Sequence, residues 1–336
     1  MSTPAARPSV STRKRPALKL VKTNDMSRDD WLEVRRTGIG SSDAAAAVGL
    51  NPYQSQLELW MEKTGRGAAL PKPDPDDDST PMFWGSLLES FVAAHYTKKS
   101  GNRVRKTNAV LQHPEHPWML ANIDREVTGA ADVQILECKT AGMNGAKLWR
   151  DGVPEYVQLQ VQHQLAVTGK AAADIAVLVC GNEYRCFRME RHDALIARLI
   201  EQEAVFWDYV VKDIPPPVDG SESSALALQA LYPEDRGEIL DCTEDTDMNR
   251  LFADYCDYRA QREAAESQET LLKQQLQARL GFASGAVFSN GKITWNKSRD
   301  STTTDLKRMA QEHPDWVKAY EIPKPGSRRF LVQMGE

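Results

Sequence analysis

Val133-Gln134-Ile135-Leu136-Glu137-Cys138-Lys139, following Ile123-Asp124, is the stretch on which the fold turns. Its β-branched and apolar residues predict a strand. Strand periodicity sends Glu137 and Lys139 to one face and Cys138 to the other. A carboxylate and an ammonium then share a site with Asp124, with twelve residues between the two acids. Hard oxygen ligands of this kind suit Mg2+ or Mn2+, which take one or two carboxylates, waters and substrate phosphate oxygens. The Cys138 backbone carbonyl is a further candidate oxygen ligand, and its thiol is assigned to core packing. In such a site Lys139 stands beside the attacking water while the metal offsets charge on the phosphorane. A same-face ion pair on a solvated strand looks identical in sequence, so the neighbours must decide. Glu89 stands among Leu87, Leu88, Phe91 and Val92, an apolar setting in which an unpaired carboxylate is costly. A metal answers that cost, as does pairing with Lys98, Lys99 or an arginine at the rim.

Outward from this strand, helical and strand periods alternate. Phe83 to Ser100 predicts a helix closed by Gly101, and short strands are expected from Val104 to Val133. Glu155 to Thr168 predicts a helix ended by Gly169. A hairpin around Gly181-Asn182 (174–189) and a helix from Leu195 to Lys212 follow. Nearer the N-terminus, Ser27-Arg-Asp-Asp30 has the form of a capping box opening a helix with Trp31 and Val34. Ser42 to Val48 and Ser55 to Thr64 read as short helices, and 66–81 as a solvated loop. Helices flanking a central mixed sheet make the core α/β (α+β). Residues 27–214 are assigned to this core, 1–26 to a disordered basic tail and 215–244 to a linker. The remainder, 245–336, is read as a long charged helix (245–280) and a small α+β module. That module has a strand near Lys292 to Trp295, a helix near Thr304 to Gln311 and a last strand at Arg328 to Val332. Arg328 and Arg329 are open to a DNA or subunit contact, a solvated strand end being the simpler reading.

The 336 residues, 41% hydrophobic, suffice for a sizeable core. No apolar run approaches the roughly 18 to 20 residues of a membrane helix, so a soluble, cytoplasmic protein is expected. Five cysteines without a repeating spacing argue against a disulfide framework or a zinc-finger set. The net charge of −5 hides six basic residues and no acid in residues 1–24, so the rest of the chain, without those six charges, stands at −11. Attraction to phosphate is local, over a Debye length of roughly 8 Å, so an acidic chain can still hold DNA in a basic groove.

Further motifs occur in one order. Trp31-x3-Arg35-x2-Gly38-Ile-Gly-Ser-Ser42-Asp-Ala-Ala precedes Asn51-Pro-Tyr53, Leu57-Glu-Leu-Trp60 and Lys63-Thr-Gly65. Gly85-Ser-Leu-Leu-Glu89, Ile123-Asp124, Glu137-Cys-Lys139 and Gln160-Val-Gln-His163 follow. Over about residues 29 to 211 this order resembles the YqaJ-type viral recombinase and lambda exonuclease family of PD-(D/E)xK nucleases. The resemblance implies a restriction-endonuclease-like core. It matches Glu89, Asp124 and Glu137 to metal carboxylates, Lys139 to the catalytic lysine and Gln160 to a residue near the scissile phosphate. The spacing from Asp124 to Glu137 is somewhat longer than in lambda exonuclease, and a longer turn through Gly129-Ala-Ala absorbs it.

Arg35 and Ser42, with Ser41 as its rival, match positions that hold a terminal 5′ phosphate. A guanidinium and a hydroxyl suit that anion, although Ser42 also reads as an ordinary helix N-cap. Tyr156, Gln160 and His163 fall on one helix face, expected to line the cleft. His163, His113 and His116 lack ligand spacing and are not assigned to metal.

The resemblance thus implies a Mg2+-dependent exonuclease degrading double-stranded DNA from 5′ ends. The products would be 3′ overhangs for a single-strand annealing protein. Trimeric rings belong to the same expectation, and an alkaline preference is expected because a lysine or a metal-bound water that must lose a proton works better as pH rises. The alternatives are a structure-selective endonuclease of the same fold and a non-catalytic DNA-end-binding scaffold.

Overall fold

The computed structural model describes residues 17–23, 26–71, 74, 76–324 and 326–333. The chain divides into two compact units between Pro233 and Glu234.

In the first unit the chain runs through β1 (Leu18–Lys22), α1 (Arg28–Arg36), α2 (Ala44–Ala47), α3 (Gln56–Lys63), α4 (Pro81–Ser100), β2 (Arg103–Arg105), β3 (Ala109–Gln112), β4 (Leu120–Ala121), β5 (Arg125–Thr128) and β6 (Ile135–Ala141). It continues through α5 (Glu155–Thr168), β7 (Ala172–Val179), β8 (Glu183–Glu190), α6 (Asp193–Lys212) and α7 (Glu222–Leu231). The fold is a mixed α/β arrangement. Its central sheet has the order β2-β5-β6-β7-β8, antiparallel except where β6 and β7 pair in parallel. A parallel pair needs a crossover, and α5 supplies it. A smaller antiparallel sheet, β1-β3-β4, stands beside it.

Period-two alternation along β6 distributes its side chains between two helical layers. Ile135 packs with Val157, Val161 and Leu165 of α5. Leu136 packs with Val92 and Tyr96 of α4, and Cys138 joins it there. Glu137 and Lys139 therefore share the α5 side of the strand with Ile135. Both helices stop at glycines in the left-handed region, Gly101 (φ 76°) and Gly169 (φ 68°), a backbone that costs glycine least.

Several expectations are corrected. The basic tail is not wholly disordered, because Leu18–Lys22 hydrogen-bonds along β3 as a sheet edge; residues 1–16, 24 and 25 lie outside the described set. The stretch 215–244 is not simply a linker. It contains α7, whose Ala227 is buried in the cluster formed by Leu57, Trp60 and Phe206, so the helix joins the first unit through apolar burial. Ser42 is not a helix N-cap but lies inside a 3-10 turn, Ser41–Asp43, capped from Gly40.

The second unit holds α8 (Thr246–Leu280), the hairpin β9 (Gly285–Phe288) and β10 (Gly291–Thr294), α9 (Leu306–Glu312) and α10 (Pro314–Ala319). The last strand expected at Arg328 to Val332 does not form.

Gly38 makes the closest approach in the first unit. The next residue pairs with the chain before β4: the Ile39 N–H donates to the Trp118 carbonyl (2.7 Å) and the Leu120 N–H to the Ile39 carbonyl (2.8 Å). A Cβ on Gly38 would lie 2.5 Å from the Trp118 carbonyl oxygen and 2.8 Å from Leu120 Cγ. Gly38→Ala should therefore displace backbone and destabilise the protein by about 1–3 kcal/mol, the usual range for overpacking. A denaturant titration checks this.

Candidate active site

Glu137 is buried to 2% exposure, and every donor around it comes from β6 or α5. Its Oε1 accepts from Lys139 Nζ (2.6 Å) and Gln160 Nε2 (2.6 Å), and its Oε2 from Gln164 Nε2 (2.7 Å). Lys139 Nζ also donates to Gln160 Oε1 (2.9 Å). Gln164, one turn beyond Gln160, is a site residue that the sequence reading misses. Its signal is the i, i+4 spacing of two glutamines on the crossover helix.

Asp124 precedes β5, and its Oδ2 accepts the Cys138 N–H at 2.7 Å. Burial, reinforced by the neighbouring Glu137, pushes its pKa up to about 8. Burial alone would lower Lys139, but Glu137 and Asp124 outweigh it and hold the ammonium above its ordinary value. Burial and the same two acids raise the Cys138 thiol well above its usual range, which keeps it neutral among its α4 neighbours.

Glu89 lines the same cavity but pairs with Arg125, whose guanidinium also donates to the Asp124 carbonyl (2.6 Å). The apolar setting expected for Glu89 is only partial. Val92 is buried, whereas Leu87 and Phe91 are exposed, because they lie on the outer side of α4. Arg125 is likewise missed in the sequence, since an arginine beginning a short strand carries no signal of its partner. Among the described residues, no three acidic, histidine or cysteine side chains converge as a ready cation cage. The donors nevertheless fit a hard cation: a buried and a half-buried carboxylate side by side and a strand carbonyl are oxygen ligands. Among the described residues, Asp124 has only the Cys138 N–H as a hydrogen-bond donor.

A second charged group borders the cavity. Arg35 lies 5.0 Å over the Trp31 ring and donates to Ser42 Oγ (3.0 Å) and to Asp43. Lys63 Nζ, 3% exposed, donates to Asp43 Oδ2 (2.6 Å) and to the Arg35 carbonyl (2.8 Å). Burial would raise the Asp43 pKa, but Arg35 and Lys63 outweigh it and hold the carboxyl far below the usual range. Ser41 Oγ is buried without a hydrogen-bond partner among the described residues. The cavity, about 500 Å3, is lined by Arg35, Ser41 and Ser42 at one side and by Glu89, Asp124, Glu137, Lys139 and Gln160 at the other.

The α5 face departs from expectation at two positions. Tyr156 is half-buried with its ring edge-on to Tyr53 (5.8 Å); it interacts with Lys139 but does not line the cavity. His163 is wholly buried, with Nδ1 2.7 Å from Glu203 Oε1 and Nε2 2.9 Å from the Leu120 carbonyl. At roughly 100° per residue, position 163 falls about 60° short of Gln160, on the side away from Gln164.

The YqaJ-like viral recombinase domain matches residues 30–171. The YqaJ protein of Bacillus subtilis (strain 168) is 36% identical over 321 residues, covering 94% of this chain and 97% of that protein. Protein D345L of African swine fever virus is 27% identical over 194 residues, 49% of this chain and 54% of that protein. Among solved structures, an alkaline exonuclease (LHK-Exo) of Laribacter hongkongensis aligns with 22% identity and a TM-score of 0.44, over 55% of this chain and 93% of that one.

The Asp43 group generates a stability prediction. Asp43→Ala leaves Lys63 buried without its carboxylate and should cost about 3–5 kcal/mol. Asp43→Ala combined with Lys63→Met should recover part of that loss in thermal melts. A depressed folded pKa gives stability that is complete above the unfolded value of roughly 3.9 and fades only as pH falls toward the folded one. Titration of Asp43 itself therefore adds no difference between pH 7 and pH 5, but burial without its carboxylate lowers Lys63 further, so the cost of Asp43→Ala should be no smaller at pH 5 than at pH 7.

Proposed function

Since the chain belongs to the YqaJ-like viral recombinase family, we propose that it is a divalent-metal-dependent exonuclease that degrades one strand of linear double-stranded DNA from a 5′ end. The observation carrying this reading is the meeting, in one cavity, of Asp124, Glu137 and Lys139 with Arg35, Ser41 and Ser42.

The Asp124 and Glu137 carboxylates and the Cys138 carbonyl would hold Mg2+ or Mn2+, with Glu89 available on release from Arg125. When bound, the metal polarises the phosphodiester and offsets charge developing at phosphorus. Gln160 and Gln164 fix the Glu137 carboxylate, so that it does not reorganise during reaction. Lys139, kept protonated and gripped by Gln160, presents an ammonium to the scissile phosphate and the incoming water. Arg35 and the Ser42 hydroxyl take the terminal 5′ phosphate, with the unpartnered Ser41 hydroxyl offering one more bond. This assignment is what sets the 5′-to-3′ polarity and leaves a 3′ overhang for a single-strand annealing partner. A trimer closed around the duplex belongs to the same reading, and solution mass tests it.

An endonuclease of the same fold would cut covalently closed circles, whereas the proposed enzyme spares them. A non-catalytic end-binding scaffold would bind linear DNA and leave it intact in Mg2+ and Mn2+.

Linear duplex should be degraded in Mg2+ and spared in EDTA. Lys139→Ala should lose activity by about 10^2–10^3-fold, the range for removing one preorganised donor from a polar catalytic site, while still binding DNA. Arg35→Ala should abolish any preference for 5′-phosphoryl over 5′-hydroxyl ends. Survival of linear duplex with the parent protein in both Mg2+ and Mn2+ would overturn the reading.

A further inference from the structure

Two further cavities follow one another from the active-site cavity, each sharing wall residues with the next. A smaller space of about 150 Å3 shares Glu89, Asn122 and Asp124 with it, and on its far side shares Lys106, Thr107 and Ile123 with a third cavity of about 600 Å3. That third cavity is lined by Lys19, Arg105, Lys106 and Lys170, with Glu126 as its single acid among the described residues. Four cations against one carboxylate is a marked local excess in a chain whose net charge is −5. Glu126 does not cancel it; it holds Arg105 through Nε (3.0 Å) and NH2 (2.7 Å) and draws Lys170 Nζ to 3.6 Å. Three distant parts of the chain build this wall: β1, the β2–β3 turn and the end of α5. Thr107, which lines both outer spaces, carries a buried hydroxyl without a hydrogen-bond partner among the described residues.

We propose that this basic cavity is a binding site for the phosphodiester backbone of the strand being cut, on the 3′ side of the scissile phosphate. The inference rests on the nuclease reading above. With the terminal 5′ phosphate at Arg35 and the scissile phosphate beside Lys139, a strand continuing away from Arg35 passes Asp124 and meets Lys106 first, then Arg105, Lys170 and Lys19. Ion pairs of this kind are to phosphate and carry no sequence preference. Lys19 gives the edge strand β1 a part in the track, and the Thr107 hydroxyl is a donor for a phosphate oxygen where the two outer spaces meet.

The test compares the full-length protein with the doubly substituted Lys106→Glu/Lys170→Glu and Lys106→Gln/Lys170→Gln variants. Binding is measured with Ca2+ in place of Mg2+, so that the carboxylates are not left uncompensated, to a 5′-phosphorylated linear duplex and to a 5′-phosphorylated dinucleotide, which has no phosphate on the 3′ side of the scissile one. Both substituted lysines are solvent-accessible, and melting temperatures equal to the parent's establish that the variants fold. Duplex affinity should fall about tenfold or more, and the slope of log affinity against log salt should lessen by roughly two, one for each phosphate left without its lysine. The glutamine variant should show a smaller fall with the same change in slope, and dinucleotide affinity should match the parent's in both. Unchanged duplex affinity and salt slope would overturn the strand track while leaving the nuclease reading intact. A parent protein that binds neither probe would overturn both.

Discussion

A carboxylate buried in a protein interior has to be met by donors, and Glu137 is the group around which this fold is arranged. Its three partners come from its own strand and from the helix that returns the chain to form β7. A crossover between parallel strands must pass over the sheet, so the helix facing Glu137 is fixed by topology before its sequence is considered. The glutamines at 160 and 164 then supply two amide donors from successive turns. Replacing either would leave part of a buried negative charge unsatisfied, which costs more than an ordinary hydrogen bond is worth. The same helix that completes the sheet therefore orients the site, and stability and chemistry share one set of interactions.

Two other buried polar groups hold the surroundings of that helix. Asp43 ties the Arg35 turn to α3 through Lys63. His163 ties α5 to α6 through Glu203 and to the start of β4 through the Leu120 carbonyl. That carbonyl only accepts, so Nε2 carries a hydrogen, and Nδ1 shares the remaining proton with Glu203. Burial works against the imidazolium, yet the adjacent Glu203 carboxylate raises the His163 pKa above its ordinary value. Buried pairs of this kind add little net stability but are costly to break. Their effect is to fix α5 and the Arg35 turn in one arrangement on either side of the cavity.

What periodicity governs is legible in the sequence. Glu155–Thr168 is bounded to the residue, the hairpin around Gly181-Asn182 is found, and alternation along β6 places Cys138 opposite Glu137 and Lys139. What depends on pairing between distant segments is not legible. Arg125 beside Glu89 and Lys63 beside Asp43 are pairings across 36 and 20 residues, and charges carry no periodic signature of their partners. Spacing of i, i+4 and i+7 reads as one face and sends His163 to the cleft, yet a partner as distant as Glu203 decides which side of α5 is buried. The strand Leu18–Lys22 reads as tail because its composition is basic. Its order comes from the exposed edge of β3, which no local pattern reveals.

Charge gives the site its strongest demand. Three carboxylates, Glu89, Asp124 and Glu137, face one ammonium and one guanidinium in the same small region, an excess of one negative charge. A phosphodiester brought to about 4 Å of an uncompensated unit charge would meet a repulsion on the order of 4 kcal/mol at the effective dielectric of a protein surface. Substrate and site would then oppose each other, and the basic track beyond Asp124 would draw DNA toward a centre that rejects it. Burial first, and then the neighbouring Glu137, raise the Asp124 pKa, and a divalent cation would offset that carboxylate's charge more completely than a proton does. A cation of charge two would turn the local excess from −1 to +1, so that an anionic strand would be attracted to the cluster rather than repelled, together with the lysines and arginines on either side of it.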